Sequence, residues 1–543
     1  MSRWNFADVW EVVADMRPDA PAVVQGSRQY SWADFDRRAD GIAAGLLGFG
    51  VKRQTSVAQY LYNCPEYLET VYAAFKAGLV PVNTNYRYVD DELAYLWDNA
   101  DVAVVVFHGA FAERVASVRP RVPEVRAWLW VDDGSGPCPE WAVPYEDLAS
   151  SNPAQPPTRA PWGRSPDDLY LLYTGGTTGL PKGVMWRQDD LFAVLNRSAG
   201  VRYPEEGTLD DVRAVLDTPR HPLARVVPCP PLMHGSASFT CFPTFAGGGG
   251  IFLLTSRSFS ATELLDTVQR ERITELTIVG DAFAKPILRE LDSYPDRWDI
   301  SSLWLIVSSG VMWAAETKSG LLKHNSRLLC IDTLGSSEAV GVASSRSSRK
   351  GTVDTGGFVL NPNTRVIRED GSDIVPGSGE RGLLATRGRT PVGYYKDPEK
   401  SAATFRLIGG VCWTVPGDWA TVDVSGIVQL LGRGSVCINT GGEKVFPEEV
   451  EEVVKTYPLI ADAVVVGVPD ERFGEAIVAM VEPLGASAVL EEDDVIAHVK
   501  GRLASYKAPR RVLAVETIGR DTNGKADYRR LKAEATERVG ADG

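Results

Sequence analysis

Strand-like segments alternate with helix-like segments in the first part of the chain, and this alternation constrains the fold most strongly. The segments SVAQYLYN, VPVNTN and VAVVVF have strand character, whereas EYLETVYAAFKAG and DDELAYLWDNA are helical in pattern. Strands that alternate with helices form parallel sheets with helices on both faces. The pattern therefore predicts an α/β fold of doubly wound sheets. Residues 134–164, rich in Pro, Ser and Gly, are expected to be a surface excursion.

A second α/β pattern begins near the C-terminus, after a glycine-containing stretch around Arg433. FPEEVEEVVKTYP predicts a helix that starts at Pro447 and carries four glutamates in its first turns. A chain of 543 residues is too long for one ordinary hydrophobic core. We therefore expect a large N-terminal domain over residues 1–432 and a small mobile domain over residues 433–543, with glycines at the seam allowing a change of backbone direction.

Charge and composition exclude several function classes. The formal net charge of −14 argues against non-specific nucleic-acid binding, which requires a basic face. The sequence contains no run of about 18 apolar residues that would span a membrane, and its first residues lack the pattern of a signal peptide. Seven scattered cysteines without zinc spacing indicate reduced thiols. We therefore expect a cytoplasmic protein.

The stretch LYTGGTTGLPKG, from Leu172 to Gly183, is unusual in holding four glycines, three threonines and one lysine. Glycines let backbone N–H groups approach an anion, threonine hydroxyls add donors, and Lys182 adds positive charge. The Gly-Lys-Ser/Thr ending of a P-loop is missing, because Gly183 follows Lys182. The composition alone fits either a phosphate-binding loop or a flexible hairpin loop with an exposed lysine.

The same string resembles the signature loop of the adenylate-forming superfamily, which includes acyl-CoA synthetases, luciferases and peptide-synthetase adenylation domains. Other segments resemble that family's motifs in the family's order: PPLMHGSA, SSGVMW, DTLGSSE, WTVPGDWA, GRGSVCINTGGEKVFPEEVE and TNGKADYR. The resemblance extends from Tyr30 to Arg530. It implies the family's two-domain architecture and the use of ATP, CoA and Mg²⁺.

The resemblance also implies a role for individual residues. The implied catalytic residues are Lys525, Glu338, Lys182 and Thr178, with Glu338 also the ligand of the magnesium ion. The implied nucleotide-binding residues are Thr174, Gly175, Gly176, Thr177, Ser309, Gly310, Val311, Asp332, Thr333, Leu334, Ser337, Asp418 and Arg433. The implied acyl-binding residues are His234, Gly280, Asp281, Phe283, Gly335 and Ser336. The loop on the CoA side is expected to contain Gly441, Gly442 and Lys444.

The sequence departs from the family pattern at three positions. Leu334 stands where many relatives carry a tyrosine that stacks on adenine, and Ser337 replaces a threonine. Ser435 lies where the hinge residue is often Asp or Lys, which puts the control of domain rotation in question. None of these changes removes a charged catalytic group.

The segments NTNYRY, TGGTTG, GSSE and GKADYR resemble the actinobacterial branch that activates fatty acids and steroid side-chain acids. We therefore expect an AMP-forming acid–CoA ligase for a bulky hydrophobic carboxylic acid, either fatty, steroid or terpenoid. One alternative is an enzyme that carries out only the thioester-forming half on a supplied acyl-adenylate. Another is a stand-alone enzyme that loads an acyl carrier protein. A luciferase-like oxygenase or a non-catalytic paralogue is disfavoured by the intact charged residues. The expected partner is a small-molecule carboxylic acid, and neither nucleic-acid binding nor membrane insertion is expected. Whether the protein forms a homodimer stays an open question.

Overall fold

The computed structural model describes residues 4–151, 153, 156–176, 179–218, 223–310, 313–349, 351, 357–433, 438–440, 443–470, 474–485, 490–503, 505–521 and 524–541. The chain forms two compact units. The first consists of Met1–Gly176, Leu180–Thr355 and Arg387–Arg406, and the second consists of Thr177–Gly179, Gly356–Thr386 and Leu407–Gly543. The domain boundary expected between residues 432 and 433 remains a prediction, because residues 434–437 lie outside the described part of the chain.

The first unit begins with the predicted alternation of strands and helices. Its elements up to Ala149 are α1 (Phe6–Met16), β1 (Pro21–Gln25), β2 (Arg28–Ser31), α2 (Trp32–Gly48), β3 (Ser56–Tyr60), α3 (Pro65–Lys76), β4 (Val80–Asn83), α4 (Asp90–Asn99), β5 (Val102–His108), α5 (Ala112–Val118), β6 (Ala127–Val131), β7 (Val143–Pro144) and α6 (Tyr145–Ala149). The expected surface excursion over residues 134–164 is wrong in its middle. There β7 joins a sheet, and Tyr145 and Ala149 of α6 are buried.

The rest of the first unit continues this pattern. Its elements up to Ser347 are β8 (Leu169–Gly176), β9 (Gly179–Arg187), α7 (Gln188–Ser198), α8 (Leu209–Asp217), β10 (Arg225–Pro228), α9 (Gly235–Ala246), β11 (Gly250–Leu253), α10 (Ala261–Glu271), β12 (Glu275–Ile278), α11 (Asp281–Ser293), β13 (Leu305–Ser309), α12 (Ala315–His324), β14 (Leu329–Leu334) and β15 (Ala343–Ser347). After β15 the chain enters the second unit and later returns to the first.

The elements from residue 357 to residue 433 include this return. They are β16 (Gly357–Leu360), β17 (Thr364–Ile367), β18 (Gly382–Arg387), β19 (Gly393–Tyr394), α13 (Pro398–Thr404), β20 (Phe405–Ile408), β21 (Val411–Thr414), β22 (Asp418–Val422) and β23 (Ile427–Arg433). Strand β19 and helix α13 belong to the first unit. In the second unit, β16, β23, β22, β18 and β21 lie side by side, and β17 pairs with β18.

The remaining part of the second unit is a small α/β structure. Its elements are β24 (Ile438–Thr440), β25 (Glu443–Val445), α14 (Pro447–Lys455), β26 (Ile460–Asp470), β27 (Gly474–Pro483), α15 (Glu492–Lys500), β28 (Arg511–Ala514) and α16 (Tyr528–Ala541). The strands form one sheet in the order β25-β24-β27-β26, with β28 parallel to β27. Helix α14 begins at Pro447 as predicted, since proline suits the first helical position.

Two sheets of the first unit have parallel centres. One follows the order β2-β1-β11-β10-β12-β13-β14-β15 and is parallel from β1 to β14. The other follows the order β19-β9-β8-β4-β3-β5-β6-β7 and is parallel from β8 to β7. In open sheets of this kind, ligands bind in the crevice at the carboxyl ends of the strands. The α/β fold with doubly wound sheets is confirmed.

Aromatic side chains from α1, α3 and α9 form the centre of the core between the two sheets. Phe6 and Trp10 of α1 contact Phe75 of α3 and Phe242 of α9, and the rings of Trp10 and Phe245 meet edge to face at a centroid distance of 5.2 Å. Each of these rings is at most 1% exposed. Burying aromatic rings of this size makes a large hydrophobic contribution to stability.

A buried lysine joins three helices of this core. Lys76, the last residue of α3, is fully buried, and its Nζ lies 2.9 Å from Glu11, 2.8 Å from Asp36 and 3.0 Å from Asp40. Burial alone would lower the pKa of the Lys76 ammonium, but the attraction of these carboxylates outweighs burial and raises it. Lys76 is therefore held charged, and its ion pairs connect α3 to α1 and α2.

None of the helices in the described part of the chain combines the length and apolar character needed to cross a bilayer. The described cysteines are free thiols: Cys64, Cys138, Cys229, Cys241, Cys330 and Cys412.

Candidate functional site

The carboxyl ends of β12, β13 and β14 bring together the predicted adenine-side residues. In the β13–β14 ladder, Ser309 lies opposite Thr333, and the Thr333 hydroxyl donates to the Ser308 carbonyl at 2.9 Å. The Gly280 N–H, just after β12, donates to the Ser308 hydroxyl at 2.9 Å. Gly310 follows β13 with φ +91°, a backbone conformation that favours glycine. The structure therefore places these residues at one crevice of the sheet, the position expected of a nucleotide-binding edge.

Asp332 lies beneath this edge and is paired with a lysine that the sequence had not indicated. Its side chain is buried, and Oδ2 lies 3.7 Å from the Nζ of Lys318, which is also buried. Burial raises the pKa of Asp332 to about 7, although the attraction of Lys318 acts in the opposite direction. Lys318 therefore stabilises the ionised form of Asp332 against the effect of burial.

The loop after β14 is folded tightly around Gly335. A Cβ atom on Gly335 would lie 2.9 Å from the Ala339 carbonyl oxygen, so the close approach requires glycine. The Ser336 hydroxyl accepts the Glu338 N–H at 3.3 Å, and the Trp186 indole N–H of β9 donates to the Ser337 carbonyl at 2.9 Å. The loop carrying Ser336, Ser337 and Glu338 is thus tied to β9, the strand that also carries Lys182.

Glu338 is buried and contacts a residue from the returning segment. The Tyr394 hydroxyl donates to Glu338 Oε1 at 2.7 Å, and the two side chains are 6% and 8% exposed. Strand β19 brings Tyr394 to this place because it pairs with β9, where Tyr394 lies opposite Val184. A buried carboxylate requires hydrogen bonds or a cation. Glu338 has the former from Tyr394, and its Oε2 is the oxygen that Tyr394 does not engage.

Lys182 lies close to the same segment. Its Nζ is 2.8 Å from Asp397 Oδ2 and 5.8 Å from the centre of the Tyr394 ring, and both members of the ion pair are about one-third exposed. The hydrogen bond from Lys182 holds the pKa of Asp397 below its ordinary value. Lys182 and Glu338, which are distant in sequence, are thus both brought close to Tyr394.

Asn83, at the end of β4, joins three parts of the site region. Its amide nitrogen donates to the carbonyls of Tyr173 and Met233 at 2.8 and 2.7 Å, and its oxygen accepts the Tyr173 N–H at 2.6 Å. These bonds hold the end of β8, which carries Thr174, against the segment leading to His234. Asn83 was not among the predicted site residues. Its signal in the sequence is a polar residue at the end of an otherwise apolar buried strand, directly after Val82.

The predicted acyl-side residues surround the starts of α9 and α11. His234 occupies the N-cap position of α9, and Asp281 and Phe283 lie in the first turn of α11. Asp281 faces Lys285 at 3.7 Å and accepts the Ala314 N–H at 3.4 Å, while Phe283 is buried against Phe259. Along α9, the half-buried residues Ser236, Phe239, Thr240, Pro243 and Thr244 share one helical face.

In the second unit, Asp418 and Arg433 occupy facing positions. Asp418 begins β22 and lies opposite Arg433 in the antiparallel ladder with β23. Glu448, in the first turn of α14, lies close enough to Asp418 and Glu451 for their negative charges to affect it. Burial, followed by repulsion from Glu451 and from Asp418, raises the pKa of Glu448 to about 8.

Lys525 lies in an exposed loop between β28 and α16. Its backbone N–H donates to Asp521 Oδ1 at 2.8 Å, and its carbonyl accepts the Asp521 N–H at 2.9 Å. Arg520 donates to the Gly524 carbonyl at 3.1 Å and pairs with Asp462 of β26. The loop backbone is therefore anchored, and Lys525 occupies an exposed position in it.

Several predicted residues cannot be placed in this arrangement. Thr177, Thr178, Val311, Gly441 and Gly442 lie outside the described residues. For Gly175, Gly176, Arg433 and Lys444, the structure gives only the position in a strand. Their roles remain predictions.

Among the described residues, no group of three or more His, Cys, Asp or Glu side chains is arranged to hold a metal ion. A magnesium ion commonly uses one or two carboxylates, with waters and substrate phosphates as its other ligands. The single buried carboxylate of Glu338 fits that donor set.

Comparison with known proteins shows similarity over the full chain. Residues 10–395 match the family described as AMP-binding enzyme, and residues 449–525 match the family described as AMP-binding enzyme C-terminal domain. A medium/long-chain-fatty-acid–CoA/3-oxocholest-4-en-26-oate–CoA ligase of Mycolicibacterium smegmatis is 39% identical, covering 98% of this chain and 97% of its own. A 3-oxocholest-4-en-26-oate–CoA ligase of Rhodococcus rhodochrous is 37% identical, covering 97% and 95%. The crystal structure of an anthranilate CoA ligase with anthranoyl-AMP has the same fold, with a TM-score of 0.83, 21% identity and 99% coverage of both chains.

Proposed function

Because the chain belongs to the AMP-binding enzyme family, we propose that its residues carry out the two-step activation of a bulky hydrophobic carboxylic acid. It is an AMP-forming acid–CoA ligase that uses ATP and CoA. The full-length relatives act on medium- and long-chain fatty acids and on a steroid side-chain acid. The observation that carries the site assignment is the convergence of Lys182 and Glu338 beside Tyr394.

In the first half-reaction, a carboxylate oxygen of the acid attacks the α-phosphorus of ATP. The bond from that phosphorus to the bridging oxygen breaks, so that pyrophosphate leaves and an acyl-adenylate forms. Attack of one anion on another requires positive charge and alignment at the phosphates. Lys182 supplies charge beside the Gly/Thr stretch, Asp418 accepts hydrogen bonds from the ribose hydroxyls, and Lys525 stabilises the charge that develops on the α-phosphate.

Glu338 would hold a magnesium ion through its carboxylate, of which Tyr394 engages only one oxygen. The ion would neutralise phosphate charge when bound. The proposal rests on the burial of one carboxylate with a neutral hydrogen-bond donor. Thr174 and the threonines that follow it would add hydroxyl donors to the phosphates.

In the second half-reaction, the sulfur of CoA attacks the acyl carbon of the adenylate, and the bond to the phosphate oxygen breaks to release AMP. The family resemblance implies that residues after 433 turn between the two steps, so that Lys525 is withdrawn and the loop containing Lys444 faces the acyl group. AMP departs as an anion, and the thiol proton is released to solvent.

Several observations support an apolar acid. An amino-acid substrate would require an unengaged carboxylate for its ammonium group, whereas Asp281 already faces Lys285. Phe239 and Pro243 contribute apolar surface to the half-buried face of α9, whose N-cap residue is His234.

We predict that large apolar acids turn over faster than short polar acids. Purified protein would be incubated with ATP, CoA and a panel containing acetate, an amino acid, medium- and long-chain fatty acids, a steroid side-chain acid and a terpenoid acid. AMP and acyl-CoA would be measured separately. Faster turnover of acetate than of every large apolar acid would contradict the substrate class. AMP release without acyl-CoA would mean that water and not CoA accepts the acyl group, which would favour the carrier-protein alternative.

Asp418→Ala is expected to weaken the binding of a non-hydrolysable acyl-adenylate analogue by about tenfold or more, because hydrogen bonds from the ribose hydroxyls to a charged acceptor are lost. Calorimetric titration measures this affinity. Asp423→Ala provides the control, since Asp423 lies at the end of the same hairpin and accepts N–H groups of its own turn. Equal affinity of the Asp418 variant and the wild type would refute the ribose assignment.

The proposal includes a cytoplasmic location and a free small-molecule acid as the partner. Size-exclusion chromatography with light scattering would distinguish a monomer from the homodimer that the sequence leaves open.

A further inference from the structure

Tyr394 and Glu338 form a buried pair that the two-step reaction does not by itself require. The hydroxyl donates to Oε1 at 2.7 Å, and neither side chain is more than 8% exposed. A hydroxyl is a neutral donor, so it stabilises the ionised carboxylate and leaves its negative charge uncancelled. A lysine or arginine in the same place would compete with a cation for that charge.

The backbone around Tyr394 is fixed from several sides. Strand β19 pairs with β9, and the Tyr394 N–H donates to the Ser401 hydroxyl at 2.8 Å. The Tyr394 ring also packs near Phe405, with 5.7 Å between ring centres. The hydroxyl therefore reaches Glu338 from a constrained position, which limits the rotation of the carboxylate about its last side-chain bond.

The nearby cation is held by another partner. Lys182 pairs with Asp397 at 2.8 Å, and Asp397 Oδ1 separately accepts the Lys400 N–H at 2.9 Å. The same short segment thus provides a neutral donor to the carboxylate and an anion to the ammonium. Because each group has its own partner, Lys182 and Glu338 do not form an ion pair with each other.

We propose that Tyr394 is a positioning residue that orients Glu338 for the magnesium ion delivered with ATP, an inference that rests on the proposed function. Hydrogen-bond partners of metal-ligating side chains typically contribute about 10- to 100-fold to metal affinity or activity. A merely structural tyrosine would affect folding and ATP binding equally whether magnesium is present or absent.

The test measures ATP binding by calorimetry in the absence of any carboxylic acid, over a series of Mg²⁺ concentrations and in EDTA. For Tyr394→Phe, the Mg²⁺ concentration that gives half-maximal ATP affinity should rise about tenfold or more, while binding in EDTA stays that of the wild type. Tyr395→Phe is the matched control. Its hydroxyl donates to Asp101, also at 2.7 Å, in an exposed pair, and its Mg²⁺ dependence should not change.

An unchanged Mg²⁺ dependence in folded Tyr394→Phe would overturn the inference, as would an equal loss of ATP affinity with and without Mg²⁺. If that variant does not fold, Ser401→Ala decides. It removes the hydroxyl that accepts the Tyr394 N–H and donates to the Asp397 carbonyl at 2.6 Å, and it leaves the Tyr394 and Glu338 side chains themselves unchanged. A shift of Mg²⁺ dependence in the same direction supports the inference, and an unchanged dependence overturns it. Failure of the wild type to bind ATP at any Mg²⁺ concentration would instead contradict the proposed function.

Discussion

Lys525→Ala is expected to reduce acyl-adenylate formation by about a hundredfold or more, the usual cost of losing one preorganised transition-state contact. The same variant should convert a supplied acyl-adenylate and CoA to the thioester at a rate close to that of the wild type. The reason is that the ammonium acts only while charge develops on the α-phosphate. Pyrophosphate release and thioester formation, measured separately, give the two rates.

Lys532→Ala is a suitable control for this experiment. Lys532 is an exposed lysine of α16 in the same unit and pairs with Glu475 at 2.8 Å, so its loss should alter neither rate. Equal loss of both half-reactions in Lys525→Ala would contradict the division of labour. If the wild type itself lacked only the first half-reaction, Leu334 and Ser435 would be the residues to examine, and the enzyme would depend on a supplied adenylate.

Lys76→Met is expected to lower the free energy of unfolding of the first unit by about 3–5 kcal/mol, the typical cost of removing one partner from a buried ion pair. The substitution keeps a long side chain in place but leaves Glu11, Asp36 and Asp40 facing one another without the central cation. Urea unfolding followed by tryptophan fluorescence measures the loss, because Trp10 and Trp32 lie in the same core.

The exposed pair between Lys396 and Asp101 provides the comparison. It has a similar distance, 2.7 Å, but its side chains are 45% and 57% exposed, so Lys396→Met should cost at most about 1 kcal/mol. A loss of this small size in Lys76→Met would mean that the other partners of these carboxylates, such as Arg164 beside Glu11, or water and protonation compensate for the missing lysine.

The sequence predicted the elements whose patterns are local. The strand around Val57 and the helix that begins at Pro447 were both recognised, because strand and helix periodicity and helix-start signals depend on neighbouring residues. The family's motifs supplied the candidate residues at the ends of β13 and β14, and the parallel register then accounts for their proximity.

Other features depend on contacts between distant residues and could not be read from a local pattern. Tyr394 lies 56 residues beyond Glu338, and Asp397 lies 215 residues beyond Lys182. In α3, the charges of Glu66, Glu69 and Lys76 are typical of a solvated helix face, yet the whole helix is buried. The burial is tolerated because neighbouring elements supply partners for these charges: β2 provides Arg28 to Glu66, α2 provides Arg38 to Glu69, and α1 and α2 provide the carboxylates around Lys76.

The path of the chain has a consequence for biosynthesis. Residues 387–406 belong to the first unit, but the chain reaches them only after passing through β16, β17 and most of β18 in the second unit. A ribosome therefore releases Glu338 before it has made Tyr394, and the first unit is still incomplete when synthesis has passed residue 355. Nascent chains that end between residues 356 and 386 hold the Gly/Thr stretch and Glu338 but lack β19. The Tyr394–Glu338 pair can thus form only after these strands of the second unit have been synthesised.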